Sequence, residues 1–253
     1  MKKVIATIIL LSNINFSFAQ VNVEAFRDSA NKNGFYGNIL GSLQLQSGNT
    51  KVTIYDFSTD LHVKLKRSHI LLKSSISRGF QDKKLFQNSG FTHFRYTLML
   101  HNILGYEAFT QTEFDSFKDL KIRQLAGVGL RIETNIIKQL NINSGLGLML
   151  DYEQLNNNIT SKNPRINSYL VIKYSLDTKN KNFISIVVYY QPLLINYKDW
   201  RLKNEINLKT NITKIKNTKI FVISSFIHHY DSKPPTNITT DDKTLKISLG
   251  IEW

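Results

Sequence analysis

The run Leu245-Lys-Ile-Ser-Leu-Gly-Ile-Glu-Trp253 decides the fold. Successive side chains of a β-strand point to opposite faces. Leu245, Ile247, Leu249, Ile251 and Trp253 therefore share one face, and Lys246, Ser248, Gly250 and Glu252 share the other. A soluble domain can carry such a strand with its apolar side turned to a core. Behind an export signal the same pattern reads as the closing strand of a bacterial outer-membrane barrel, apolar toward lipid and polar toward the lumen.

Residues 1–19 read as that signal. Lys2 and Lys3 form a charged start, Val4 to Leu11 an apolar stretch, and Ser17-Phe-Ala19 supplies small residues for cleavage before Gln20. Ser12, Asn13 and Asn15 break the apolar run, which falls short of the ~20 apolar residues a spanning helix needs. Residues 20–34 are a polar lead-in, and 35–253 are expected to form one barrel of the Gram-negative outer membrane. The chain has no cysteine, so neither a lipid-linked N-terminal Cys nor a disulfide framework is available.

The formal charge of +14, which loses two with Lys2 and Lys3, is spread over strands and turns. For an exported chain it suits lipopolysaccharide, anionic lipid head groups or small anionic solutes rather than nucleic acid. The expected partners are outer-membrane lipid, lipopolysaccharide, the barrel-assembly machinery that reads Trp253, and small solutes. The expected state is a monomer. Deleting Trp253 or making it polar should lower the assembled amount.

Twelve alternating segments follow the lead-in: 35–45, 52–65, 69–79, 90–100, 103–115, 120–133, 139–152, 165–176, 183–193, 200–212, 219–230 and 244–253. Most reach the ~9–11 residues a tilted strand needs to cross a bilayer, and an even number suits a barrel with both ends in the periplasm. The fold expected is an all-β, antiparallel, up-and-down transmembrane barrel. Several periplasmic connections read as short, against longer external loops at 81–89, 153–164 and 231–242. Segment 183–193 is ambiguous, since Val187 and Tyr189 accompany Ser185 on the supposedly inner face, and 219–230 is apolar on both faces through Ile223 and Ile227, which sets its register weakly. A soluble barrel would turn the apolar face inward, and alternation alone does not separate the two. Twelve strands, however, enclose more space than side chains readily fill. Tyr96, Tyr106, Phe114, Tyr152, Tyr174, Tyr190, Trp200 and Trp253 also fall toward strand ends on the apolar face, as an interfacial girdle does.

The other face carries the candidate functional residues. Arg95, Glu107, Glu113, Asp115, Lys121, Arg123, Arg131, Asp151, Lys173, Arg201 and Glu205 are expected to line the lumen. Such charges either select solutes by sign or pair to hold the wall's shape. The inward set holds a modest surplus of Lys and Arg, which predicts a weak preference for anions. Gly127, Gly129, Gly145 and Gly147 are expected inward, leaving room for Arg and Lys stems or letting the sheet bend. The turn at 116–119 should place Glu113 and Asp115 opposite Arg123 and Lys121, with Glu107 nearer Arg131. Pairs in a partly wet lumen are worth about 0.2–1 kcal/mol each. On that footing Arg123→Glu should leave the barrel assembled.

Catalytic signals are few. No catalytic, cofactor or metal motif is present: His228 and His229 point to opposite faces, and neither a Gly-x-Ser-x-Gly elbow nor a phosphate loop occurs. A lipid-facing pair of His228 with Ser224 or Ser144 leaves an outer-membrane lipid hydrolase as a minor alternative. The leading reading is a narrow channel, and the competing one a non-conducting structural or surface-binding barrel.

Phe94-Arg-Tyr96 and the run Tyr106-Glu-Ala-Phe-Thr-Gln-Thr-Glu-Phe-Asp-Ser-Phe-Lys-Asp-Leu-Lys-Ile-Arg-Gln-Leu-Ala-Gly-Val-Gly-Leu-Arg131 resemble the core of the salt-induced outer membrane protein family. Gly37-Asn38, Gly48-Asn49 and the Gly145-Leu-Gly147 strand are similar to it as well. The resemblance implies an outer-membrane barrel linked to salt or osmotic stress. It supplies no catalytic residues.

Overall fold

Alternation selects the face each strand buries, and pairing to neighbours turns twelve such strands into one wall. The computed structural model describes residues 33–48, 51–177, 182–235 and 238–253, so the segment expected to be a signal and most of the expected lead-in lie outside the described residues. The strands are β1 (Gly34–Gln46), β2 (Val52–Leu65), β3 (Ser68–Gln81), β4 (Lys84–Met99), β5 (Leu104–Asp115) and β6 (Leu120–Ile137). They continue as β7 (Leu140–Leu155), β8 (Thr160–Ser175), β9 (Phe183–Leu193), β10 (Asn196–Ile215), β11 (Thr218–Asp231) and β12 (Asp241–Glu252). Each pairs antiparallel with its sequence neighbours, and β1 pairs with β12 to close the barrel.

The apolar stripes face outward, the reverse of a soluble barrel. Leu146 and Leu150 on β7 and Ile247 on β12 are each more than 60 % exposed. The charged face is the buried one: Arg131 is 0 % exposed and Asp151 1 %. Trp200 stacks on Tyr230 at 4.6 Å and lies 5.9 Å from Tyr190, an aromatic group near the end of the barrel that carries the β9–β10 turn. Tyr106, Tyr174 and Trp253 are exposed near the opposite end. β9 resolves in favour of Phe183, Ser185, Val187, Tyr189 and Gln191 pointing inward, all of them buried. On β11 the inward set includes Phe221, Ile223 and His229.

Three strands begin four or more residues earlier than the sequence suggests, and the expected long loops shrink. β4 starts at Lys84 because Asp82 and Lys83 adopt positive φ (46° and 67°), a two-residue hairpin made without the usual Asn-Gly. β8 starts at Thr160, after a turn in which Asn158 takes a φ of 64° and the Leu155 amide donates to Ile159 O at 2.9 Å. Pro164 sits inside β8, one residue beyond the last pair that β8 makes with β9, Arg165↔Leu193. β10 starts at Asn196 rather than 200. The loop-length asymmetry consequently survives only at 232–240.

A second correction concerns Lys121. The β6 register slips against β7 between Leu120 and Ile122, and against β5 between Glu113 and Asp115. This bulge turns Leu120 and Arg123 inward and leaves Lys121 exposed, donating to Asn158 Oδ1 at 3.0 Å outside the lumen.

Candidate functional site: a charge-packed lumen

The inner charges gather into two belts, and each reaches across strands that are not neighbours. The first centres on three arginines. Arg123 on β6 pairs with Glu113 on β5 at 2.5 Å and with Glu153 on β7, and lies 3.8 Å from Asp151. Arg201 on β10 donates to Asp151 and Glu153, both at 2.6 Å, and to Asp231 on β11 at 2.9 Å. Arg165 on β8 bridges Asp151 at 3.3 Å and Asp199 at 2.9 Å. β7 and β10 are separated by two strands, so Arg201 spans a chord of the lumen.

The second belt is built on Tyr169 of β8. Its hydroxyl donates to Glu107 of β5 at 2.5 Å and accepts from Arg131 of β6 at 2.9 Å. The Arg95 and Arg131 guanidiniums lie 5.6 and 5.8 Å from its ring, and Thr97 donates to Glu107 at 3.1 Å. The glycines make this possible, in a way different from that expected. A Cβ at Gly145 would fall 2.1 Å from the Tyr169 ring, and one at Gly127 would fall 2.5 Å from Phe109. Aromatic rings, not Arg or Lys stems, fill the space. Gly129 and Gly147 serve close backbone approach instead: a Cβ at Gly147 would lie 2.2 Å from the Val128 carbonyl oxygen.

The remaining candidates fall around these belts. Glu205 pairs with Lys203 at 3.3 Å and accepts from Asn207 at 2.9 Å. Lys173 lies 4.3 Å over the Phe183 ring, and Lys209, which pairs with Glu252, lies 4.1 Å over Phe221. Asp115, at the outer end of β5, accepts the Phe117 amide at 3.1 Å. Lys118, in the β5–β6 turn, meets Asp242 at 3.2 Å. Burial drives its ammonium below the ordinary lysine range, against the pull of that carboxylate. The structure therefore brings Arg95, Glu107, Arg131 together and Glu113, Arg123, Asp151, Arg201 together, and leaves Lys121 out. Arg165, Glu153, Tyr169, Asp199 and Asp231 complete the belts although the sequence did not mark them. Glu153 and Asp231 looked like loop residues because the strands were read too short, while Arg165 and Tyr169 do alternate inward with Lys173.

Two changes to expectation follow from burial. Arg123 and Glu113 side chains are only 10 % and 7 % exposed, so surface pair energies do not apply. Removing one partner of a buried pair costs about 3–5 kcal/mol, because the other charge is stranded. Arg123→Glu would add a carboxylate to three already present and should block assembly. The cationic surplus is not seen among the described residues of the belts and the cavity: ten cations (Lys73, Arg95, Arg123, Arg131, Arg165, Lys173, Arg201, Lys203, Lys209 and Lys246) face eleven carboxylates (Asp56, Asp60, Glu107, Glu113, Asp115, Asp151, Glu153, Asp199, Glu205, Asp231 and Glu252).

Between the first belt and the β1–β12 side lies a cavity of about 160 Å³. Lys73, Lys203, Lys246, Asp56, Glu113, Asp115 and Glu205 line it with several serines, Asn207 and His229. A smaller one of about 60 Å³ sits under the 232–240 loop, lined by Arg123, Glu153, Arg201, Pro234 and Pro235. For the lipid-hydrolase alternative, Ser144 lies on β7 and His228 on β11, four strands apart. Both His228 ring nitrogens are engaged, with Asn204 at 3.1 Å and Asp241 at 2.9 Å.

A closed antiparallel barrel, apolar outside and charged within, is the class this geometry defines. The chain belongs to the DUF481 family, described as proteins of unknown function, whose model matches residues 41–253. Among solved structures it is similar to the NanC porin at 11 % identity and a TM-score of 0.49, over 86 % of this chain and 98 % of that one. It is similar to the KdgM porin at 11 % identity and 0.44, over 87 % and 98 %. The translocator domain of the autotransporter NalP from Neisseria meningitidis stands at 8 % identity and 0.45, over 87 % of each chain. No curated protein matches the chain.

Proposed function

We propose that this chain is an outer-membrane barrel providing a narrow, charge-lined path for small solutes or ions, constricted by the Arg123–Arg165–Arg201 belt. The observation that supports it most is the inversion of polarity: a barrel that exposes leucine and isoleucine outward while enclosing charge suits lipid outside and water within. Because the buried charges are nearly balanced, selection by sign is weak, and the anion preference suggested by the sequence is correspondingly small. A role in salt stress fits an interior held by ion pairs, whose exposed members weaken as ionic strength rises.

A second reading, a non-conducting barrel, is favoured by one observation: Arg201 of β10 reaches across the lumen to Asp151 and Glu153 of β7. Planar-bilayer recording separates the two. Reproducible small steps support the path, and stepless traces from a folded barrel support the non-conducting form.

A further inference from the structure

The wall is not uniformly closed. β1 and β12 share four registered pairs, from Asn38↔Glu252 to Gly41↔Leu249, supplemented by Gly37 and Trp253 exchanging backbone bonds at 3.1 and 3.2 Å. Every other neighbouring pair of strands shares nine or more. Beyond Gly41, β1 keeps its partner β2 as far as Gln46↔Val52, and β12 keeps β11 as far as Asp241↔Tyr230. Among the described residues the two facing edges have no registered partner over that outer half.

The flanks of the gap are still apolar. Leu43 and Leu45 on β1 and Leu245 and Ile247 on β12 point outward and are exposed. An open strand edge at hydrocarbon depth leaves backbone polar groups without water, which costs several kcal/mol for each unsatisfied group. Inside the gap a side-chain latch stands in for the missing ladder. The Asp56 carboxylate accepts from Ser42 of β1 at 2.7 Å and pairs with Lys246 of β12 at 3.2 Å. Behind it lies the cavity of about 160 Å³, space for about five waters at ~30 Å³ each.

We propose that the outer half of the β1–β12 seam is a lateral portal, latched by Asp56, that holds a single-chain zwitterionic amphiphile of the lysophospholipid kind. Its tail lies between Leu43 and Ile247, and its head enters the cavity. The head carries both signs because the cavity does: Lys246 is matched by Asp56 and Lys203 by Glu205. A zwitterion can exchange with such a pair without stranding a charge, whereas a purely anionic head would leave Asp56 uncompensated. The inference rests on the outer-membrane reading but not on conduction.

The test uses the full chain purified from membranes and reconstituted in phosphatidylcholine vesicles, with spin-labelled lysophosphatidylcholine as the probe. A saturable, motionally restricted component is expected. Lys246→Ala should weaken it about tenfold, the loss of one charged hydrogen bond. The chain lacks cysteine, so Ile247→Cys can be labelled with pyrenylmaleimide to fill the portal; restriction should then disappear. The same label at Ile186→Cys, on the outer face of β9, should leave it intact. The proposal is overturned by absence of a saturable component, by equal loss from both labels, or by tighter binding of spin-labelled stearate. Heat-modifiable migration reports the barrel separately: a chain that fails this check removes the membrane reading and the portal together, whereas a folded barrel without restricted probe removes only the portal.

Discussion

The β6–β7 pair and the β1–β12 seam are opposite solutions to the same problem. β6 and β7 register over sixteen positions, with glycines meeting glycine at Gly129↔Gly147, and leave no room for a methyl group between backbones. β1 and β12 register over four, and a Cβ at Gly41 would find its closest neighbour, the Asp56 carbonyl oxygen, at 4.0 Å. The strongest part of the wall is thus held by main chain and the weakest by side chains. Stability and adaptability are assigned to different strands.

The largest effect expected to break that contrast is Gly147→Leu. A side chain there meets backbone at 2.2 Å, which cannot yield as a flexible side chain would. Overpacking of this kind costs about 3 kcal/mol or more, so the folded band on a heat-modifiability gel should be lost. Gly41→Leu, at the loose seam, should fold normally, and its failure would erase the distinction.

Arg201→Ala comes next. It takes the arginine from Asp231 and one of the shared arginines from Asp151 and Glu153, which keep Arg165 and Arg123, and urea unfolding should show a loss of about 3–5 kcal/mol. In bilayers the same variant should enlarge any conductance step, since it removes the side chain that spans the lumen.

Tyr169→Phe deletes a donor to Glu107 and an acceptor for Arg131 while keeping the ring over Gly145. A loss of about 1.5–3 kcal/mol in the same unfolding measurement is expected, the range for hydrogen bonds to charged groups. A neutral result would mean that the ring's bulk, not its hydroxyl, holds the second belt.

Lys121→Ala should be nearly silent, within about 0.5 kcal/mol, because the bulge has turned it out of the lumen onto Asn158. A cost comparable with that of Arg201→Ala would return Lys121 to the lumen and reject the slipped register.

The existence and number of strands were legible because period-two alternation is local, and it survives even where boundaries are misread by six residues, as at the start of β4. Turn chemistry was less legible: Asp82-Lys83 makes a hairpin with two positive-φ residues that are neither Gly nor Asn. The one-residue slip at Leu120 reversed the facing of Lys121, which alternation counted from one end cannot foresee. Arg123 opposite Glu113 was readable from the hairpin, since both flank one turn. Arg201 with Asp151 was not, because that contact depends on how far the wall has curved by β10. Charge identity lies in the chain, but the meeting of distant charges lies in the circumference.

Glu252 sits between Lys209 of β10 and Lys219 of β11, and both partners are fewer than fifty residues away. β12 is in consequence fastened to strands that precede it in the chain before β1, more than two hundred residues distant, needs to arrive. Short loops close at lower entropic cost than long ones, so the three-strand hairpin ending in Trp253 should be the early event and ring closure the late one. Read as a sequence in time, the final turn of the polypeptide is where the barrel begins.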